Sequence, residues 1–172
     1  MPHDGQPMPQ TETSLLPDLL TLTAAALPAV DDILSKAKAA VSRLVMADGR
    51  VSGTLVETHQ TAAHGLAWLA TYAQALHQMQ NWAERLTTAG TFGETEQLIQ
   101  QIAFGEYLWQ IYGGIQMNQG EVVRLQDIGL SQDEQRGLMI PAVMTLCEAG
   151  NTQSARSRLA TLMQDHAANL TV

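Results

Sequence analysis

Between Val51 and Leu86 one residue in seven is apolar in strict register: Leu55, Ala62, Leu69, Leu76 and Ala83, with Leu66 and Ala73 between them. A seven-residue repeat of this kind keeps one stripe of a helix facing the same way for many turns, so it needs another helix to cover it. The pattern predicts one long bundle helix over 51–86. Small residues beside the stripe, Ala62, Gly65, Ala67, Ala70 and Ala73, predict that a neighbouring helix comes close.

Composition supports a helical rather than a sheet protein. Apolar residues make up 45% of the chain but aromatic ones only 5%, and Ala, Leu and Gln dominate while β-branched runs are scarce. The expected fold class is therefore all-α, a bundle of about five to seven helices. At 172 residues the chain is long enough to bury a core without disulfide or metal staples. The single cysteine, Cys147, excludes an intramolecular disulfide and a multi-cysteine zinc site, and points to a reducing, cytoplasmic setting. A net charge of −8 with nine scattered Lys and Arg side chains gives no basic stripe, which argues against nucleic acid as a partner.

Residues 1–12 carry three prolines among Met1–Gln10 and read as a disordered leader, followed by a helical bundle domain over 13–172. Thr13 or Ser14 caps a first helix, and Pro28 breaks or kinks it before a second helix over 29–46. Residues 13–48 thus form a kinked pair or short hairpin, loosely attached, stopped by Asp48-Gly49. After the heptad helix, Gly90 and Gly93 mark a loop. A helix over 94–112 follows, nearly apolar all round in its second half and so expected to be the most buried element. Gly113-Gly114 closes it. Residues 115–130 read as loop with a short helix near 121–125. Ser131-Gln132-Asp133-Glu134 has the form of a capping box opening a helix to Ala149 with Pro141 inside. Gly150-Asn151 ends that helix, and a last one covers 152–168. The apolar stretch 102–115 falls far short of the roughly 20 residues a bilayer requires, so no membrane insertion is expected.

Chemistry-bearing residues are sparse. His59, His64, His77 and His166 lack the Glu-x-x-His pairing of a di-metal bundle, which favours structural roles and no metal. Glu106 lies alone in an apolar run, where desolvation favours a proton acceptor; the competing reading places it at the edge of the buried face or against an arginine such as Arg124. Trp68, Tyr72, Trp82, Tyr107, Trp109 and Tyr112 are core rings or the lining of a groove. No Walker A sequence, Gly-x-Gly-x-x-Gly or Gly-x-Ser-x-Gly is present.

One resemblance adds to this. The stretches AHGLAWLATYAQALHQMQNWAERL, from Ala63 to Leu86, and FGETEQLIQQIAFGEYLWQIYGGIQMNQGEVVRLQDIGL, from Phe92 to Leu130, resemble the long helical extension that precedes the catalytic core in one group of acyl-CoA dehydrogenases. These are the (2S)-methylsuccinyl-CoA dehydrogenases of the ethylmalonyl-CoA pathway. The likeness weakens toward Val172. QIYGGIQM, from Gln110 to Met117, is also similar to a Gly-Gly turn near the end of the family's C-terminal helical domain, where the backbone approaches FAD, so the resemblance marks Tyr112, Gly113 and Gly114 as cofactor-binding candidates. Nothing resembles the family's middle β-domain, and no catalytic residue transfers, Glu106 included. The resemblance implies an accessory domain, not catalytic alone and holding no cofactor itself. It would pack on a flavin-dependent core, in cis or in trans, or at a homo-oligomer interface. Trp68, Tyr107, Trp109 and Tyr112 are the interface candidates. The alternatives are a stand-alone helical interaction module and, behind it, a bundle with its own small-molecule pocket around Trp68, Trp109 and Tyr112. The end of the chain two residues past Leu170 reads as a truncation or as an ordinary terminus.

Overall fold

The computed structural model describes residues 14–170, with side chains to Ala167. The expected leader and the Thr13 cap lie outside the described residues. Seven helices and two short hairpins follow in the order α1 Leu19–Val45, β1 Met46–Ala47, β2 Arg50–Val51, α2 Gly53–Thr58, α3 Gln60–Thr88, α4 Glu94–Gly113, β3 Ile115–Asn118, β4 Glu121–Val123, α5 Gln132–Arg136, α6 Pro141–Ala149 and α7 Gln153–Leu170. The helical class and the upper end of the expected helix number hold.

The expected pair of helices over 13–48 is one continuous helix. Ser14 does not cap it; α1 starts after Asp18, whose φ of 53° lies in the left-handed region. Pro28 removes one helical hydrogen bond, a cost of about 3 kcal/mol in a helix interior. It sits on the exposed side, as does Ala24, whose carbonyl loses its donor and can turn to water. The flanking Ala26, Leu27, Ala29, Val30 and Ile33 are all buried, and that burial outweighs the proline. Asp48-Gly49 then forms a two-residue hairpin turn between β1 and β2, both residues at positive φ, as the twist of a tight hairpin requires.

The heptad helix is also shorter than expected. The segment over 51–86 divides at His59, whose φ of −111° and ψ of 31° leave the helical region between α2 and α3. Ser52 caps α2 through Leu55 N–H. The predicted stripe holds inside α3, where Ala62, Leu69, Ala73, Leu76 and Ala83 are all buried; Leu55, on α2, is only half-buried. α1 packs chiefly on α3, and α4 on α6 and α3, while α7 covers part of α4.

What approaches Gly65 is not a helix. A Cβ there would stand 2.5 Å from Val123 and 3.1 Å from Ile128. Residues 115–130 contain the β3–β4 hairpin in place of the expected helix near 121–125. Ile115 pairs with Val123 in antiparallel register, both point into the core, and Leu125, Ile128 and Leu130 complete the buried set. Only Ile115 and Met117 alternate with polar neighbours, and Val122-Val123 does not alternate at all, so neither strand displays a period.

The Ser131–Glu134 capping box forms as predicted: Ser131 N–H donates to Glu134 at 2.7 Å and Ser131 Oγ accepts from Glu134 N–H at 3.3 Å. Its helix ends at Arg136, however, and Pro141 starts α6 instead of lying inside one helix. Proline is favoured at a helix's first position, where its missing donor costs nothing.

Two carboxylates tie ends of helices. Glu94 at the start of α4 accepts from Arg158 of α7 in a two-pronged contact, 2.7 and 2.6 Å, and Arg158 holds its carboxyl below the usual range. The backbone and hydroxyl of Ser131 do the same for Glu134. In the unfolded chain both groups take up protons at higher pH than in the fold. Stability is therefore expected to be fully present above pH about 4.5, the ordinary glutamate value, and to decline as pH falls through the lowered values. Urea midpoints between pH 6 and 3 check this, and a Glu94→Gln, Glu134→Gln variant should show a flatter profile.

Gln101 on α4 joins three segments through one amide. Its Oε1 accepts from Leu16 N–H at 2.7 Å, and its Nε2 donates to the carbonyls of Ser14 at 2.9 Å and Gly150 at 3.1 Å.

Candidate functional site

The sequence of α4 places Leu98, Gln101, Phe104, Gly105, Leu108 and Ile111 on one face, all buried against α1, α3 and α6. At Gly105 the crossing is so close that a Cβ would stand 2.8 Å from the backbone of both Leu146 and Asn151. The opposite face carries Ile99, Ile102, Ala103 and Glu106, at the i, i+3, i+4, i+7 spacing of one helical stripe. Among the described residues this second face is only partly covered: Ile99 is exposed and Ile102, Ala103 and Glu106 are half-buried. It forms the floor of an open groove of about 650 Å³, walled by Ala75 and Met79 of α3 and by Arg156 and Leu159 of α7. The second half of α4, expected to be nearly apolar all round and deeply buried, still leaves side chains open: Trp109 keeps 45% of its surface, and Ile99, just before it, 37%.

Glu106 is the polar point of the floor. Its two oxygens accept from Gln110 Nε2 and Asn151 Nδ2, each at 2.6 Å. Gln110 in turn accepts from the Tyr72 hydroxyl at 2.6 Å, and Arg156 donates to the Asn151 carbonyl and side-chain oxygens at 2.8 and 2.7 Å. Glu106 thus sits on the face opposite the buried one, half-buried, with amide partners in place of an arginine such as Arg124. Both carboxylate oxygens are held by amide donors. The Tyr72 ring stacks on Tyr107 with centroids 4.6 Å apart. Burial, with Tyr107 and Glu106 adding to it, raises the Tyr72 pKa, so the phenol keeps the proton it donates.

The aromatic interface candidates separate into two groups. Trp68, half-buried, donates to His64 Nε2 at 3.0 Å and meets Tyr72 edge-on, which links it to Tyr107 in one ladder along α3 and α4. Trp109 and Tyr112 pair with each other, centroids 6.3 Å apart, and both are exposed. Trp68, Trp109 and Tyr112, around which the last of the alternatives placed a small-molecule pocket, do not line this groove, which takes Tyr107 alone of the rings. Gly114 has φ 136°, and a Cβ there would stand 2.5 Å from Val122, whereas Gly113 has nothing within 4 Å. The close approach at Gly114 is taken by β4, and the Gly113-Gly114 turn redirects the chain into the hairpin.

His77 pairs with Asp31 at 2.8 Å, and among the described residues no group of three His, Cys, Asp or Glu side chains could hold a metal ion. Nor is any helix there long and apolar enough to cross a membrane. Cys147 is buried in α6, and burial, with Glu148 nearby, pushes its thiol up to about 11 from 9.0. Since the thiolate is the nucleophile, alkylation at pH 8 should run about 100-fold slower than for an ordinary thiol on ionisation alone, with urea restoring the normal rate. Iodoacetamide kinetics followed by mass spectrometry check it.

Sequence reasoning missed the groove's other walls. Met79, Arg156 and Leu159 carry no motif, and Asn151 reads only as a helix terminator. The one available signal was the apolar outer face of α4.

No protein-family model matches the chain. A (2S)-methylsuccinyl-CoA dehydrogenase from Cereibacter sphaeroides is 52% identical over 156 residues, which is 91% of this chain but 28% of that protein's length. The chain is thus a homologue of one part of a methylsuccinyl-CoA dehydrogenase, and the greater part of that enzyme has no counterpart in it.

Proposed function

We propose that this chain is the accessory N-terminal helical domain of a flavin-dependent acyl-CoA dehydrogenase of the methylsuccinyl-CoA type, acting in the cytoplasm. It seats on the catalytic core or at an oligomer interface and is not catalytic alone. The observation that carries this reading is the 52% identity across nearly the whole chain to a fraction of the larger enzyme. The site chemistry agrees: the one carboxylate in the groove is tied by amides, and the close approach at Gly114 is taken by the protein's own hairpin. FAD, which would accept the β-hydride when the α-proton is removed, belongs in this reading to the core outside the chain.

The test compares three proteins: the Cereibacter enzyme, the same enzyme lacking the matched part, and a chimera carrying this chain in its place. Melting temperature, flavin retention and turnover of methylsuccinyl-CoA are followed. The shortened enzyme should lose stability or activity and the chimera regain it, while this chain alone shows neither flavin absorbance nor turnover. Turnover by the isolated chain with added FAD would falsify the reading, as would a shortened enzyme indistinguishable from the intact one.

A further inference from the structure

An apolar stripe on a helix is stable where something covers it. α4 buries one face against α1, α3 and α6, and among the described residues leaves part of the other open, where Ile99, Ile102 and Ala103 floor a groove beside Met79 and Leu159. Contiguous apolar surface with a polar border marks a binding face. Here the border is Glu106, Asn151 and Arg156, whose hydrogen bonds to one another fix the end of the groove before anything enters. Glu106, the polar side chain of the floor, is thereby held in place by amide donors. Of the other exposed apolar side chains, Val51 and Met46 sit on the thin β1–β2 hairpin. The homologous segment lies in a protein of which it is 28%, so a large partner surface is available within the same polypeptide.

We propose that the α3–α4–α7 groove is the surface that seats the catalytic remainder of the acyl-CoA dehydrogenase, which inserts an apolar helix or ridge between Met79 and Leu159 onto the outer face of α4. This rests on the accessory-domain reading and adds which face is used. Trp109 and Tyr112 lie outside the groove and are not required for the contact.

The test is cysteine footprinting with N-ethylmaleimide. Ala103→Cys and Ala75→Cys place a thiol in the groove, and Ala39→Cys places one on the exposed side of α1. Each is labelled in the free chain and in the flavin-loaded chimera, and modified peptides are quantified by mass spectrometry. The groove thiols should react about tenfold slower or more in the chimera, as in the desolvated centre of an interface, with Ala39→Cys unchanged. Unprotected groove thiols beside a protected Ala39→Cys would overturn this surface and leave the accessory-domain reading standing. Protection of none of the three would likewise overturn this surface, the accessory-domain reading then being decided by the shortened enzyme. Protection of the groove in the free chain that grows with its concentration would assign the face to a second copy and overturn the proposal. Should the chimera not accumulate as a flavoprotein, hydroxyl-radical footprinting of the intact Cereibacter enzyme gives the same discrimination. The segments aligned with 75–79 and 99–107 should then be shielded relative to the one aligned with 35–39.

Discussion

Replacing Phe104 by alanine is expected to lower the free energy of unfolding by about 3–5 kcal/mol, the range for deleting a fully buried aromatic side chain. Phe104 is completely buried, near the middle of α4 on the face shared with α1, α3 and α6. Neighbours on several different helices cannot all move inward, so the vacated space stays largely open. A loss at the lower end would still reduce the melting temperature by roughly 6–12 °C for a chain of this length. Urea unfolding followed by circular dichroism checks it, with an unchanged denaturant slope showing that the native state is intact. A loss under about 1 kcal/mol would mean that the helices around Phe104 close over the gap, contrary to the rigid crossing described here.

The second large effect carries an informative sign. In a helix interior Gly→Ala normally stabilises by up to about 1 kcal/mol. At Gly105 the added methyl would stand 2.8 Å from the Leu146 carbonyl oxygen and from the Asn151 backbone nitrogen. Backbone atoms cannot rotate away as a side chain can, so α4 and α6 must separate. Overpacking of this kind costs about 1–3 kcal/mol and exceeds the propensity gain. Gly105→Ala is therefore expected to destabilise, and Gly105→Val to do so further. Ala substitution at Gly53, which has nothing within 4 Å of the added carbon, serves as the matched control. A stabilised Gly105→Ala would show that the α4–α6 crossing has slack.

The helical class was legible because it rests on repetition. The stripe through Ala62, Leu69, Leu76 and Ala83 repeats often enough to identify both the helix and its buried face. Punctuation was harder to read. Pro28 was weighed by its local cost, and the burial on either side that overrides it is visible only once α3 is in place. Pro141 carries the opposite lesson: it starts a helix, and placing it requires knowing that Gly137–Ile140 leaves the helical path. The break at His59 has no proline or glycine to announce it. The β3–β4 hairpin was hidden because three or four residues are too few to display a period, and its register is fixed by Gly114 and by Val123 against Gly65. Of the groove, the apolar floor was legible in α4. Its walls were not, because Met79, Arg156 and Leu159 become neighbours only through the packing of helices far apart in the chain.

The Gln101 clasp has a consequence for the order of assembly. Its bonds to Ser14 and Leu16 span 87 and 85 residues, and the one to Gly150 spans 49, so each closes a long loop whose entropy must be lost before the bond can form. The α1–α3 pairing starts where a short hairpin and α2 join the two helices and extends along them contact by contact, each step closing little additional loop. The clasp therefore belongs to the last stage of folding and is among the first contacts to open, and weakening it should hasten unfolding while leaving the rate of folding nearly untouched.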